Sequence, residues 1–220
     1  MSQSPTAADA PPRTRKAKGK GHERRGEILA AAKAMFVAEG YEAFTTRALA
    51  RRVGLSQTGL YVYFASKEQL FDALCRESFV ELAAAFRAAL ASTGEPMARL
   101  RALGRAYIDF GLAHPDEYRL TFMEGPGLIK REMPGLDDRP FDQQGVGNQI
   151  FLIIRGELER LAEAHARRID LTIATHSVWF ALHGLVSIFI ARPAFLKADH
   201  EALIEGLLDN LEKGLRPNRR

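Results

Sequence analysis

The sequence predicts an all-α protein, and three observations lead to that prediction. Apolar residues recur at helical spacing in several segments, beginning with Ile28, Ala32 and Met35. Glycines, prolines and capping residues such as Thr45 and Ser56 divide these segments from one another. No segment alternates apolar and polar residues as a half-buried strand would, and no internal repeat is present.

The N-terminal segment is predicted to be a disordered basic arm over residues 1–22. These residues lack Leu, Ile, Val and Phe, so burial cannot offset the entropy lost on ordering. Positions 1–25 contain seven Lys and Arg residues but only two acidic residues, which indicates an anionic partner near this end. The first helix is expected to begin at Glu23 and to stop at Gly40.

Two short helices joined by a glycine turn are predicted next. Thr45 offers an N-cap hydroxyl to the first of them, which ends at Gly54. Ser56 caps the second, predicted over Gln57 to Phe64. This spacing is typical of a helix-turn-helix, in which the second helix enters the major groove of DNA.

A long helix and a larger helical region follow. Ser66 and Gln69 form a capping box that opens an amphipathic helix from Lys67 to about Ala91. Further helix starts are expected at Pro96 and Pro115, and a glycine- and proline-rich loop over residues 125–140. The remaining predicted helices are Phe141 to Ala166, Asp170 to Ala191 and Asp199 to Leu215.

The predicted helix near the C-terminus has an ambiguous composition. Residues 171–191 contain no Asp, Glu, Lys or Arg, and this uncharged segment is long enough to span a bilayer. Thr, His and Ser residues dilute this segment, which favours a helix buried in a core or an interface. The sequence thus predicts an arm (1–22), a helix-turn-helix domain (23–70) and a helical regulatory and dimerisation domain (71–216).

The N-terminal pattern closely resembles the DNA-binding domain of TetR-type transcription regulators. The resemblance rests on five runs, which are GY at 40–41, TTRALA at 45–50, VGLS at 53–56, GLYVYF at 59–64 and SKEQL at 66–70. The later segments are similar to the WHG-type regulatory domain of that family, through HP at 114–115, YRL at 118–120, Trp179 and HG at 183–184. The resemblance implies a three-helix DNA-binding domain joined by the long helix to a ligand-binding and dimerisation domain.

The resemblance also implies which residues contact DNA. Phosphate contacts fall on Thr46, Tyr63 and Lys67, and contacts at or near base edges fall on Arg47, Gln57, Thr58 and Tyr61. Gly59 stands where Thr, Ser or Ala is commoner in the family, so the resemblance implies exposed backbone and one base contact fewer at this position. For Tyr61 two interpretations remain open, because an aromatic residue at helical spacing is usually part of a core.

Aromatic residues and histidines in the second half of the chain are candidates for an effector site. His176, Trp179 and His183 share one stripe of their helix. The complete set of candidate ligand-binding residues is Tyr107, Phe110, Tyr118, Phe122, His176, Trp179 and His183. The alternative is that they only pack, with both histidines satisfied in a core. Zinc binding is not expected without a third metal-type neighbour, and neither a metal nor a cofactor is predicted.

Other functional classes find little support in the sequence. The chain has no phosphate-binding glycine fingerprint, no nucleophile elbow, no His-Glu-x-x-His and no cysteine pair, so it is not expected to be an enzyme. A non-regulatory helical adaptor is a further alternative. The single cysteine, Cys75, and the lack of a secretory signal favour the cytoplasm over a membrane.

The expected function is therefore ligand-responsive transcriptional regulation. The protein is predicted to be a homodimeric repressor that binds palindromic operator DNA and is released by a small apolar or aromatic effector. An apolar helix over residues 170–191 and an apolar stripe on the next helix are available for the partner subunit. The stripe consists of Leu203, Ile204, Leu207, Leu208 and Leu211.

Overall fold

Helices make up most of the described chain. The computed structural model describes residues 20–91, 94–123, 146–166 and 168–216, and these contain no strand. Their helices are α1 Lys20–Ala43, α2 Thr46–Arg52, α3 Gln57–Tyr61, α4 Lys67–Ala91, α5 Pro96–Ala113, α6 Pro115–Phe122, α7 Val146–Ala164, α8 Leu171–Ala191 and α9 His200–Leu215. The all-α prediction is confirmed.

Local capping fixes where most of these helices begin. The Thr45 hydroxyl accepts a hydrogen bond from the Ala48 amide, and the Ser56 hydroxyl accepts one from the Gly59 amide. Carboxylates of Asp170 and Asp199 cap α8 and α9 in the same way. Each cap satisfies an amide that has no partner within its own helix, so short-range sequence determines the start.

Some predicted boundaries differ from the structure. α1 begins at Lys20 and not at Glu23, so residues 20–22 of the predicted arm are helical, while residues 1–19 lie outside the described residues. Gly40, with φ 77°, interrupts α1 at the predicted stop. α3 ends at Tyr61 and not at Phe64, because the amides of residues 63 and 64 both turn back to the Leu60 carbonyl.

The C-terminal boundaries are close to those predicted. α7 begins at Val146, and the residues just before it, 141–145, lie outside the described residues, as does the predicted loop 125–140. α7 ends at Ala164 and not at Ala166, where the backbone takes a positive φ of 48°. α8 and α9 each begin one residue after the aspartate that caps them.

The side chains form two hydrophobic cores. The N-terminal core is built by α1, α2, α3 and the start of α4, and its most buried residues include Ile28, Phe36, Leu49 and Leu60. The C-terminal core is built by the rest of α4 with α5, α7, α8 and α9. α4 contributes to both cores, so the boundary at residue 70 stays a prediction.

α6 also belongs to both cores, although it is only eight residues long. Its Leu120 is buried in the N-terminal core, whereas its Tyr118 is buried in the C-terminal core. Glu117 on the same helix forms an ion pair with Lys33 of α1. Burial raises the pKa of the Glu117 carboxyl, but the hydrogen bonds from Lys33 and from its own backbone amide, together with nearby positive charge, outweigh it, so the pKa is lowered.

Ion pairs join α5 to the helices that pack against it. The Arg99 guanidinium makes two hydrogen bonds of 2.7 and 2.8 Å to the Glu157 carboxylate of α7. That hydrogen bonding lowers the pKa of Glu157 despite its burial. Arg101 of α5 is bonded to Asp209 and Glu212 of α9 at 2.9 and 2.8 Å. These pairs fix α7 and α9 against α5.

Candidate DNA-binding surface and effector site

The eight residues predicted to contact DNA lie on one contiguous stretch from α2 to the first residue of α4. Four of these side chains are exposed: Arg47, Gln57, Thr58 and Tyr61. The other four, Thr46, Gly59, Tyr63 and Lys67, are half-buried. A methyl group added at Gly59 would lie 3.1 Å from the capping hydroxyl of Ser56, which favours glycine at this departure from the family pattern.

Hydrogen bonds hold the exposed face of α3 in place. The Gln57 side-chain amide donates to the Tyr61 hydroxyl at 3.1 Å, and the Thr46 hydroxyl lies 3.5 Å from the same oxygen. These bonds, first that from Thr46 and then that from Gln57, lower the pKa of Tyr61. Tyr61 is 43% exposed, so of its two interpretations the structure supports the surface position and not the core.

Lys67 is held where α4 begins. Its ammonium group lies 4.2 Å from the ring centroid of Tyr41 and donates to the Glu42 carbonyl at 3.4 Å. A cation over an aromatic face at this distance is attracted to the ring. Lys67 is therefore positioned by the end of α1, and its charge remains beside the first turn of α4.

Two contacts join α1 to the helix-turn-helix. The Arg24 guanidinium donates to the Val53 carbonyl at the end of α2. The Arg25 guanidinium lies 4.5 Å from the ring centroid of Phe64, just after α3. These contacts were not predictable from the sequence, since nothing in the spacing of α1 identifies residues so distant in the chain as partners.

Five of the candidate effector-site residues meet in one aromatic cluster between α5, α6 and α8. The ring centroids of Tyr118 and Phe122 are 4.7 Å apart, and those of Tyr118 and His183 are 5.7 Å apart. Trp179 lies 5.9 Å from the His183 ring, and Tyr107 lies 6.0 Å from the Tyr118 ring. We call these five residues the aromatic cluster.

A hydrogen-bonded relay runs through the aromatic cluster. The Trp179 indole N–H donates to the Tyr107 hydroxyl at 3.3 Å, and the Tyr107 and Tyr118 hydroxyls are 2.9 Å apart. The Tyr118 hydroxyl lies 2.7 Å from His183 Nδ1, and His183 Nε2 lies 3.2 Å from the Ser187 hydroxyl. Burial raises the pKa of Tyr107 to about 12 and lowers the pKa of His183. Ser187 was not predicted, although its position four residues after His183 is a signal for this contact.

The other two candidates lie apart from the aromatic cluster. Phe110 is buried with its ring 5.2 Å from that of His114. The His176 ring contacts Phe151 of α7 and Phe180, and its Nδ1 lies 2.8 Å from the Thr172 carbonyl. Seven residues along a helix are about 10 Å of rise, so His176 and His183 share a stripe but meet different neighbours.

Two cavities among the described residues are small. One of about 30 Å³ lies between α1, α4 and α6, and another of about 20 Å³ lies between α5, α8 and α9. Neither is lined by any of the seven candidate effector-site residues. Each would hold only one or two water molecules, far less than a drug-sized ligand needs. Across the described ranges, no three His, Cys, Asp or Glu side chains gather as a metal site requires.

α8 has the length and composition of a membrane-spanning helix but packs into the C-terminal core. Its buried residues include Val178, Leu182 and Val186. The opposite face leaves Ile173 65% exposed and Phe180 60% exposed. Several polar side chains on α8 are bonded to its own carbonyls, as with Ser177 to Ile173 at 2.8 Å. One such helix is weak grounds for a membrane protein.

Two family models match the chain. Residues 28–74 match the model of bacterial regulatory proteins of the tetR family. Residues 100–211 match the model of the tetracyclin repressor-like C-terminal domain. Together these matches cover the helix-turn-helix and most of the C-terminal core.

Curated relatives and solved structures agree with these models. The chain is 39% identical over 100 residues to the transcriptional activator FasR of Mycolicibacterium smegmatis, which is 46% of each protein. It is 41% identical over 85 residues to the transcriptional repressor KstR2 of Mycobacterium tuberculosis, 39% of this chain and 42% of KstR2. The matches thus span less than half the length of these relatives.

Structural similarity extends over nearly the whole chain. The KstR2 structure superposes with a TM-score of 0.61 at 26% identity, covering 87% of this chain and 94% of KstR2. The regulatory protein SCO4313 gives a TM-score of 0.70 at 24% identity, covering 90% of this chain and 98% of that one. The latter similarity concerns the fold alone.

Proposed function

The chain belongs to the TetR family of bacterial transcription regulators, and on that premise we propose that it is a cytoplasmic, homodimeric repressor that binds a palindromic operator. A small apolar or aromatic effector releases it, and it acts as a regulator and not as an enzyme. The observation that carries the proposal is the exposed face of Arg47, Gln57, Thr58 and Tyr61 on a capped helix-turn-helix.

The chemistry of that face suits the major groove. Arginine and glutamine pair with base edges, and hydroxyl and ammonium groups bind phosphate. Gln57 keeps its carbonyl and its second amide hydrogen available, because only one of its donors is used by Tyr61. It can therefore still form a two-point contact with adenine. Thr46, Tyr63 and Lys67 flank it as phosphate contacts.

A dimer is supported by the exposed side of α8. Ile173, Phe180 and Ile188 are exposed apolar residues on one face of this helix. Leu207 and Leu211 on α9 are only half-buried, whereas Ile204 and Leu208 of the predicted stripe are buried in the C-terminal core and are not available to a partner. Pairing α8 and α9 with the same helices of a second copy would bury both surfaces in a four-helix bundle. A two-fold dimer presents two reading helices, which requires a palindromic operator with half-sites about 34 to 36 Å apart.

Coupling between effector and DNA is supported by α6. Tyr118 on this helix belongs to the aromatic cluster, while Leu120 and Glu117 contact the N-terminal core and α1. The cluster side chains are in mutual contact, so an effector entering between them would push α6 relative to α1. Such a shift changes the position of α3, the helix proposed to enter the major groove, and the affinity for DNA falls.

Repression is the proposed direction of control. KstR2 is named a repressor and FasR an activator, so relatives of both kinds exist. Release of DNA by the effector yields induction when the operator overlaps a promoter. A reporter gene behind the operator distinguishes the two, because a repressor lowers expression and an activator raises it.

The operator is identified by selecting bound duplexes from random DNA. We expect inverted repeats to be enriched, and Arg47→Ala to lose them while keeping its free energy of unfolding. Selection of no sequence, or of an unrepeated one, would contradict the proposal.

Trp179 offers a direct probe of the effector site, because it is the only tryptophan of the sequence and lies in the aromatic cluster. Screening apolar and aromatic compounds for changes in its fluorescence, with operator release measured in parallel, tests the site. Release without any change at Trp179 would place the effector elsewhere.

A further inference from the structure

Val62 is the most exposed of the large apolar side chains in the described residues. It follows α3 directly, has helical φ and ψ of −65° and −29°, and is 80% exposed. An apolar side chain left in water gains nothing from burial, so core packing does not explain a valine here. The neighbouring Leu60 and Phe64 are buried and fill that role.

Val62 extends a second row of side chains along α3. Gln57 and Tyr61 are four residues apart and hydrogen-bonded, forming a polar row. Thr58 and Val62 have the same spacing and are both exposed, so they form a parallel row beside it. Threonine contributes one methyl group to this second row and valine contributes two. The surface that meets DNA therefore has a polar row and a methyl row.

Thymine alone among the DNA bases displays a methyl group in the major groove. Cytosine lacks it at the equivalent carbon, and threonine methyl groups and other apolar side chains contact it in complexes. The methyl row is continuous with the polar row that reads base edges, and cannot accept or donate a hydrogen bond at Val62.

We propose that Thr58 and Val62 recognise the C5 methyl group of thymine in each half-site of the operator. This inference rests on the proposed operator binding and assigns a specificity-determining role to Val62. The base pairs facing the methyl row are therefore A·T pairs with thymine on the strand nearer to Val62. Burial of thymine and valine methyl groups against each other supplies the discrimination.

Deoxyuridine tests this directly, because it differs from thymidine only by the missing methyl group. The full chain is titrated with the selected operator, in which each thymine in turn is replaced by deoxyuridine. For at least one thymine in each half-site, we expect its single replacement by deoxyuridine to weaken wild-type binding about fourfold. Replacing the symmetry-related pair should weaken it about 16-fold.

Matched variants identify the side chains responsible. Val62→Ala and Thr58→Ser remove methyl groups from the row, and each should reduce the difference between the thymine and deoxyuridine operators. Val80→Ala on α4 makes the same change at a valine that is 51% exposed, and it should keep the full difference. Free energies of unfolding are measured for each variant to establish equal folding.

The outcomes separate this inference from the proposed function. Operator binding with the same deoxyuridine effect in wild type and Val62→Ala overturns the inference and leaves the regulator intact. Equal weakening of both operators by Val62→Ala also overturns it, since the contact is then with sugar or phosphate. Absence of any selected operator overturns the proposed function and this inference with it.

Discussion

The Tyr118 hydroxyl lies 2.7 Å from Nδ1 of His183, and this contact sets the proton order of the whole relay. The Trp179 indole can only donate, so Tyr107 accepts from it, and the acceptor available to the buried Tyr107 hydroxyl proton is then the Tyr118 oxygen. Tyr118 then donates to Nδ1, which makes His183 the neutral tautomer with a proton on Nε2. That proton points to Ser187, so each polar side chain of the relay has a hydrogen-bond partner.

Protonation of His183 would break this order. Both ring nitrogens would then donate, Tyr118 would have to accept, and one of the two tyrosine hydroxyl protons would be left without an acceptor. Burial lowers the pKa of folded His183 below its unfolded value of about 6.5. The unfolded chain therefore binds more protons, so this contribution to stability is complete above pH 6.5 and is lost as pH falls below it.

We expect His183→Gln to remove this part of the pH dependence. In wild type the free energy of unfolding should fall by about 1 to 2 kcal/mol between pH 8 and pH 5, because a single group with an unfolded pKa of about 6.5 can contribute no more than that by pH 5. Urea unfolding of both proteins at a series of pH values between 5 and 8 measures the difference, with His176→Gln on the same helix as control. An identical pH profile for His183→Gln and wild type would contradict the proton order.

Leu120→Ala should destabilise the DNA-binding helices, although Leu120 lies on α6. The side chain is buried in the N-terminal core, and its truncation leaves a cavity that costs about 2 to 5 kcal/mol. Amide hydrogen exchange should quicken in α1 to α3. Leu103→Ala, which opens the C-terminal core instead, is the control and should first affect α5 and α8. Unchanged exchange in α1 to α3 for Leu120→Ala would separate α6 from the N-terminal core.

Phe180→Glu should yield monomers. It places a charge on the exposed apolar face of α8 without disturbing the core, because Phe180 is 60% exposed. Val80→Glu introduces the same charge on α4 and should remain dimeric. Sedimentation at micromolar concentration measures both. A monomeric wild type would refute the dimer.

Gln57→Ala and Lys67→Ala should weaken operator binding in different ways. Loss of a base contact by Gln57 costs about 1 to 3 kcal/mol and relaxes preference at one position in each half-site. Loss of a phosphate contact by Lys67 weakens binding to all DNA sequences alike. It also reduces the slope of log binding constant against log salt concentration by about one unit in magnitude. Titrations at two salt concentrations distinguish these effects.

Lys67→Ala needs a stability control, because Lys67 also lies over Tyr41 and donates to Glu42. Its free energy of unfolding is measured beside that of wild type, and Arg47→Ala is titrated as a second candidate base contact. Affinities equal to wild type for all three variants would remove this surface from the DNA interface.

The sequence by itself determined the helices that start at local caps. Thr45, Ser56 and Asp199 each satisfy amides within three residues of themselves, so no distant contact is needed to place these helix starts. The helix-turn-helix was predictable for the same reason, since its turn depends on Gly54 with φ 66°.

The tertiary structure alone decided which side chains meet across the chain. Leu120 joins the N-terminal core, Glu117 pairs with Lys33, and Tyr118 reaches His183. Helical periodicity fixes which face of α6 a residue occupies, but only packing decides which helix covers that face. The same holds for Val62, which is exposed while the neighbouring Leu60 and Phe64 are buried in the N-terminal core. Helical spacing predicts on which side of a helix a residue lies, but it does not predict which residue it contacts. That contact depends on the packing of residues far apart in the sequence.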